Sequence, residues 1–233
     1  MNHKRNVVLA VLCGLLLAFP AQAVTFDDIQ FWVGQGSHSA ALVIDWNDGK
    51  GNESLIWGYR WDGEATGADM LLAVITADTR LYVDGTGWDT GMGYALFGLG
   101  YNVTGGDFIV TKGGSTLPFV DRIHNSSYYG QSDGWVAADS LNHWEGGWYT
   151  GYWSYWVGGT GTTPAWDYSG DGMSTRILTD GAWDGWCFAD FSGYGSGGVP
   201  SEPIAAVPVP EPASIVLLLA GVSLLTKRRH RVA

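Results

Sequence analysis

All 13 Trp of this 233-residue chain lie between Trp32 and Trp186, in a body through which most of the 35 Gly are spread. That pairing constrains the fold more than any other feature. Aromatic side chains fit the pleated, half-buried surface of a sheet. Many strands need many turns, and Gly supplies the positive φ that tight turns require. The reading is a mainly β chain.

The local patterns agree. Residues 40–46 (Ala-Ala-Leu-Val-Ile-Asp-Trp) read as a buried strand, Asn47-Asp48-Gly49-Lys50-Gly51 as a turn, and residues 54–61 as the hairpin partner. Thr66-Gly67-Ala68-Asp69 has the form of a capping box, with Asp in place of Glu. Met70, Leu71, Val74 and Ile75 follow at helical spacing and predict one helix over 66–77. Residues 81–84, 93–101, 108–111, 148–157, 175–178 and 183–188 read as further strands. The expected class is α+β, with a Trp/Gly-rich extracellular domain over 24–192. Its Gly, Ser and Pro content predicts a flexible linker over 193–206.

Two short apolar segments bracket that body. At the N-terminus His3-Lys4-Arg5 precedes an apolar run over 7–19, and Ala21-Gln22-Ala23 is an A-x-A cleavage site. This predicts a signal peptide over 1–23 and a mature chain beginning at Val24. Cys13 follows Leu12 inside the apolar run, so a lipoprotein reading is set aside. Over 207–233 a Pro-rich spacer precedes an apolar run that ends at Lys227-Arg228-Arg229-His230-Arg231. The run is shorter than the about 20 apolar residues that span a bilayer comfortably. It predicts a short C-terminal transmembrane sorting helix with its cations on the cytoplasmic side. After processing only Cys187 remains, so no intramolecular disulfide can form.

Pro210-Glu211-Pro212, the apolar run, and the cluster containing Arg228 and Arg229 resemble the PEP-CTERM sorting signal of Gram-negative bacteria. The resemblance implies transient anchoring at the inner membrane and recognition by a membrane-embedded exosortase. It further implies cleavage near the motif and transfer to the cell surface or an exopolysaccharide matrix. An ordinary tail anchor is the alternative.

Between the two signals the chain carries 6 basic and 22 acidic residues. That imbalance excludes the cationic surface that nucleic acid demands, and it permits cation binding. Asp167, Ser169 and Asp171, followed by Gly172, resemble the first half of a calcium loop, but Leu178 stands where the closing acid belongs. A bound Ca2+ or a plain acidic turn are the two readings. Trp61-Asp62-Gly63, Trp183-Asp184-Gly185 and the looser Trp46-Asn47-Asp48-Gly49 repeat a phrase. They are strand-end turns, or a rim that gathers Trp and carboxylates.

Trp144, Trp148, Trp153 and Trp156 are the candidate ligand-binding residues, because flat aromatic faces hold sugars or large planar ligands by stacking. In a strand Trp153 and Tyr155 face one way, Ser154 and Trp156 the other. The sequence holds no nucleophile elbow, phosphate loop or zinc-protease motif. No catalytic residue is nominated, and plentiful carboxylates leave a glycoside-acting pair as the enzymatic alternative.

Residues 63–71, 98–102, 152–159 and 178–181 carry a second resemblance: on them the body is similar to the transcobalamin C-terminal-like β-grasp domain. Residues 63–71 (Gly-Glu-Ala-Thr-Gly-Ala-Asp-Met-Leu) match its helix start, and Gly98-Leu99-Gly100-Tyr101-Asn102 its central strand. Residues 152–159 match its Tyr-Trp strand, with Gly158 in place of Asn. Leu178-Thr179-Asp180-Gly181 matches the turn before its last strand, with Ala182 in place of Asp. The resemblance implies a β-grasp core and a cobalamin-like ligand. The functional expectation is a surface-sorted protein with a non-catalytic domain that binds a small planar ligand or a glycan, with a structural matrix role as the alternative.

Overall fold

A computed structural model describes residues 23–87, 93–126, 129–191 and 198–208. The signal peptide up to residue 22 and the sorting residues Pro210, Glu211, Pro212, Arg228 and Arg229 lie outside them. Among the described residues no helix is long and apolar enough to cross a membrane.

The described residues are mainly β with one α-helix. In order they form β1 (Trp32–Gly34), β2 (His38–Asp45), β3 (Ser54–Trp61), α1 (Gly67–Ala77), β4 (Leu81–Thr86) and β5 (Ala95–Tyr101). Then come β6 (Ile109–Lys112), β7 (Ser115–Pro118), β8 (Ile123–Asn125), β9 (Val136–Ala137) and β10 (His143–Gly146). The last are β11 (Gly151–Thr160), β12 (Asp167–Tyr168), β13 (Ala182–Asp190) and β14 (Ile204–Ala205).

The largest sheet runs β1-β3-β2-β13-β11-β12. The hairpin β2–β3 is antiparallel, and β13 returns to lie parallel beside β2. A second sheet runs β10-β5-β4-β8 and a third β7-β6-β9. Helix α1 starts where the capping box predicts. The Thr66 hydroxyl accepts from the Asp69 amide at 3.2 Å, and the Asp69 carboxylate accepts from the Thr66 amide at 2.8 Å. The helix buries Met70, Leu71, Val74 and Ile75 against the inner face of the large sheet and against the second sheet.

Trp46, Trp57, Trp153, Tyr155, Trp186 and Phe188 belong to this main core. Each buried aromatic contributes about 1.5–3 kcal/mol by leaving water. Polar tips are matched: the Trp46 indole donates to Leu99 O at 3.0 Å, and the Tyr155 hydroxyl donates to the buried Asp184 carboxylate. A smaller core of Tyr82, Phe108, Val110, Phe119 and Trp144 sits between the second and third sheets.

Two expectations are corrected. Residues 175–178 make no strand; Ile177 forms a single bridge with Thr66. The segment expected to be a flexible linker is docked over its described part, residues 198–206. Ile204 and Ala205 pair parallel with Leu55 and Ile56, and the Ala206 amide donates to Ile56 O at 3.0 Å. The Ser201 amide donates to the Asp45 carboxylate at 2.6 Å. The free edge of β3 needs partners for its main-chain groups, and a Gly/Ser/Pro composition does not prevent a chain from supplying them.

Candidate functional site

The two faces of the large sheet have different fates. The inner face is sealed by α1 and the second sheet. On the outer face Ala41, Val43, Ile56 and Trp183 are covered by the N-terminal segment (Val24, Phe26, Ile29), by Trp166 and by Ala205. That cover stops at β13. Over β11 and β12 the outer face carries a row of aromatic rings instead.

Strand alternation builds the row. Tyr152, Ser154 and Trp156 share one face of β11, opposite the buried Trp153 and Tyr155. Tyr168, 59% exposed, crosses from β12, where it pairs with Trp156 in register. Its ring meets the Trp156 ring edge-on at 5.3 Å and 83°. At the other end Phe191, 50% exposed, lies 5.4 Å from the Tyr152 ring. The Trp156 indole donates to the Ser154 hydroxyl at 2.9 Å, and that hydroxyl donates to Cys187 O at 2.6 Å. This relay fixes the indole on the sheet. Partial burial, with the charge and hydrogen bond of Tyr152, raises the Tyr168 pKa. From Tyr152 to Trp156 the strip is roughly 13 Å long, at about 3.3 Å per strand residue.

A second exposed stack adjoins the Phe191 end, where the Phe191 amide donates to Thr150 O at 3.0 Å. Here Trp148 stacks on Tyr129 at 4.5 Å and Tyr149 stands out into solvent. The turn is held by Asp133, whose carboxylate accepts from the amides of Trp148, Tyr149 and Thr150. Burial works against the Asp133 charge, but these hydrogen bonds outweigh it and hold its pKa below the usual value.

The four expected tryptophans therefore divide. Trp148 and Trp156 reach the surface. Trp144 is 2% exposed among Phe108 and Phe119, and Trp153 is 5% exposed in the main core, so neither can touch a ligand. The expectation for these two is corrected: Trp144 closes the small core over Gly98 and Gly100, which leave room for its ring. Sequence reasoning missed Tyr152, Tyr168 and Phe191. Alternation from Trp156 points to Tyr152; no local signal brings Tyr168 and Phe191 beside it.

The acidic loop does not gather around a centre. Asp167 is an exposed residue of β12, and the Ser169 hydroxyl closes a turn with the backbone of Asp171 at 2.8 Å. Among the described residues no three His, Cys, Asp or Glu side chains converge to hold a metal. The repeated Trp-Asp-Gly phrases also form no common rim. Asp62 accepts from Ser37, Asp184 is buried under Tyr155 and Arg176, and Asp48 holds His143 and Lys50.

Carboxylate chemistry is restrained in the same way. Burial and the neighbouring charges of Asp48 and Asp190 push Glu145 up to about 7. Burial opposes the Asp48 charge, but His143 and Lys50 more than offset it and lower its pKa. Such a split suits acid–base work only where substrate reaches both groups. Clefts of about 510, 490 and 430 Å³ open elsewhere on the described surface, and none has more than one carboxylate in its lining. Cys187, the one thiol among the described residues, is buried and pushed up to about 12 by burial and by Asp45 and Glu53, so it is inert.

The arrangement can therefore stack flat ligands along an aromatic strip. No known protein family, no curated protein and no solved structure matches the chain.

Proposed function

We propose that this is an exported protein, sorted by an exosortase-type system to the cell surface or exopolysaccharide matrix, whose domain binds glycan without catalysis. The observation that carries the binding reading is the strip Phe191–Tyr152–Tyr168–Trp156. Its rings lie on a sheet face that the described residues leave partly open, with Tyr168 and Phe191 exposed and Tyr152 and Trp156 half-buried, and the Trp156 indole is fixed by its hydrogen bond to Ser154. Sugar rings present apolar C–H faces that stack on such surfaces, with hydroxyl groups left for nearby polar side chains. A strip roughly 13 Å long suits a short run of sugar rings better than a single enclosed cofactor.

Export and sorting rest on the terminal sequence patterns. A β-grasp reading of the core is supported by hairpin β2–β3, the following helix α1 and the parallel return of β13 beside β2. A cobalamin-like ligand gains nothing further from the surface, because the strip is an open face rather than a pocket.

Deleting residues 209–233 tests the sorting half. The protein should pass from the cell surface to the medium or periplasm, and unchanged surface retention contradicts the reading. A glycan array probed with the exported protein tests the binding half. Signal on polysaccharides that is lost in Trp156→Ala supports it, and signal unaffected by that change does not.

A further inference from the structure

The N-terminal segment and the docked strap at 198–208 meet at one contact: the Val24 backbone nitrogen donates to the Glu202 carboxylate. Val24 itself is 8% exposed, its side chain in the outer-face cluster with Ile29, Ala41, Val43, Ile56 and Trp183. The preceding residue, Ala23, is exposed. The strap continues from Glu202 into β14, and beyond it the Arg80 guanidinium donates to Val207 O at 2.6 Å. The residues that lead to the sorting signal are thus tied to the domain at Asp45, at Val24, along β3 and at Arg80.

We infer that removal of the signal peptide completes this clasp: cleavage of the Ala23–Val24 bond makes the Val24 nitrogen an α-ammonium group that pairs with Glu202 and locks the strap. The inference rests on the export reading given above. In the uncut chain the nitrogen is an amide with one hydrogen to donate. Hydrolysis adds water across the peptide bond, leaving a carboxylate on Ala23 and a protonated amine with three donors on Val24. The valine side chain stays anchored in its apolar cluster, so the new charge is held opposite Glu202. A hydrogen bond with one ionised partner becomes one in which both partners are ionised.

The surroundings favour that charge. The 3₁₀ turn that follows carries Asp27 and Asp28, and the Asp28 carboxylate accepts from the Thr25 amide and hydroxyl at 2.8 Å. Asp45 lies at the end of β2, held by the Ser201 amide, and Glu53 precedes β3, held by the Gly49 amide. The cation on the cluster's edge is Arg60, stacked on Trp32 at 4.8 Å. Glu202 is exposed, so the pair acts through solvent and its effect is modest.

The test uses the full chain expressed in an exporting Gram-negative host, with the processed protein recovered and its N-terminus sequenced. The α-amine is then titrated by pH-dependent acylation read by mass spectrometry. A free α-amine titrates at about 7.7–8.0. In the processed protein the value should lie about half a unit higher, and Glu202→Gln should return it to the ordinary range. Hydrogen exchange at the Ala206 amide should quicken several-fold in that variant, while Glu202→Asp keeps part of the shift. An α-amine at its ordinary value in a protein that begins at Val24 overturns the clasp and leaves export intact. A processed protein that begins elsewhere contradicts the export reading at this junction, and the clasp falls with it.

Discussion

The Trp57 indole donates a 3.0 Å hydrogen bond to the Asp78 carboxylate inside the main core. Asp78 follows α1 and is fully buried, and it is also gripped by Arg80 through Nε at 2.8 Å and Nη2 at 2.9 Å. The Tyr101 hydroxyl lies 3.4 Å away, and the Arg80 guanidinium covers the Tyr101 ring at 4.9 Å. One carboxylate therefore ties together the large sheet, the end of the helix and the second sheet.

Asp78→Ala should cost about 2–4 kcal/mol, because it leaves the buried Trp57 N–H without its acceptor and the partly buried Arg80 guanidinium with only the Val207 carbonyl. Urea unfolding followed by Trp fluorescence measures this. A loss below 1 kcal/mol contradicts the account of this junction.

The start of α1 gives a smaller and separate effect. Thr66→Ala removes the oxygen that accepts from the Asp69 amide and should cost about 1 kcal/mol, with no change in the unfolding slope. Far-ultraviolet circular dichroism through the same titration checks that the loss is in stability and not in fold.

Gly100→Ala should be far more damaging than its size suggests. A Cβ there would lie 2.5 Å from the Phe108 ring and 2.8 Å from the Trp144 ring, both buried. Those rings have no space to retreat, so overpacking of about 1–3 kcal/mol is expected. Gly113→Ala meets nothing within 4 Å, though its φ of 56° carries its own backbone cost, and is the control.

Stability should also depend on pH through Glu145. Burial, with the charges of Asp48 and Asp190, raises its folded value to about 7 from 4.5. Between those values the folded chain binds the proton and the unfolded chain does not. Stability therefore falls as pH rises from about 4.5 to about 7, by on the order of 1–3 kcal/mol. Asp48 is shifted the other way and acts only below about pH 4. Glu145→Gln should flatten the profile between pH 5 and pH 8 in denaturant titrations; an unchanged profile counts against the buried carboxyl.

The helix and the first hairpin were legible because their signals are local. Thr66 and Asp69 lie three residues apart, and the apolar positions of residues 40–46 and 54–61 are contiguous. The division of the tryptophans was not legible. Trp153 and Trp156 sit on one strand, and alternation separates their faces without saying which is covered. Only the folded chain puts α1 on the Trp153 side and leaves the Trp156 ring half-buried at the surface. The strap was hidden for a related reason. Ile204 and Ala205 join β3 through main-chain hydrogen bonds, which composition does not encode.

The central claim is that the strip on β11 and β12 binds glycan, and affinity electrophoresis of the exported protein through polysaccharide-containing gels tests it most directly. An aromatic contact is worth about 0.5–1.5 kcal/mol beyond its buried area, so Trp156→Ala and Tyr168→Ala should each weaken retardation roughly 3–10-fold. Tyr149→Ala, outside the row, should change it less. Retardation that survives both strip substitutions unchanged, or that is absent across neutral and acidic polysaccharides alike, would contradict the account.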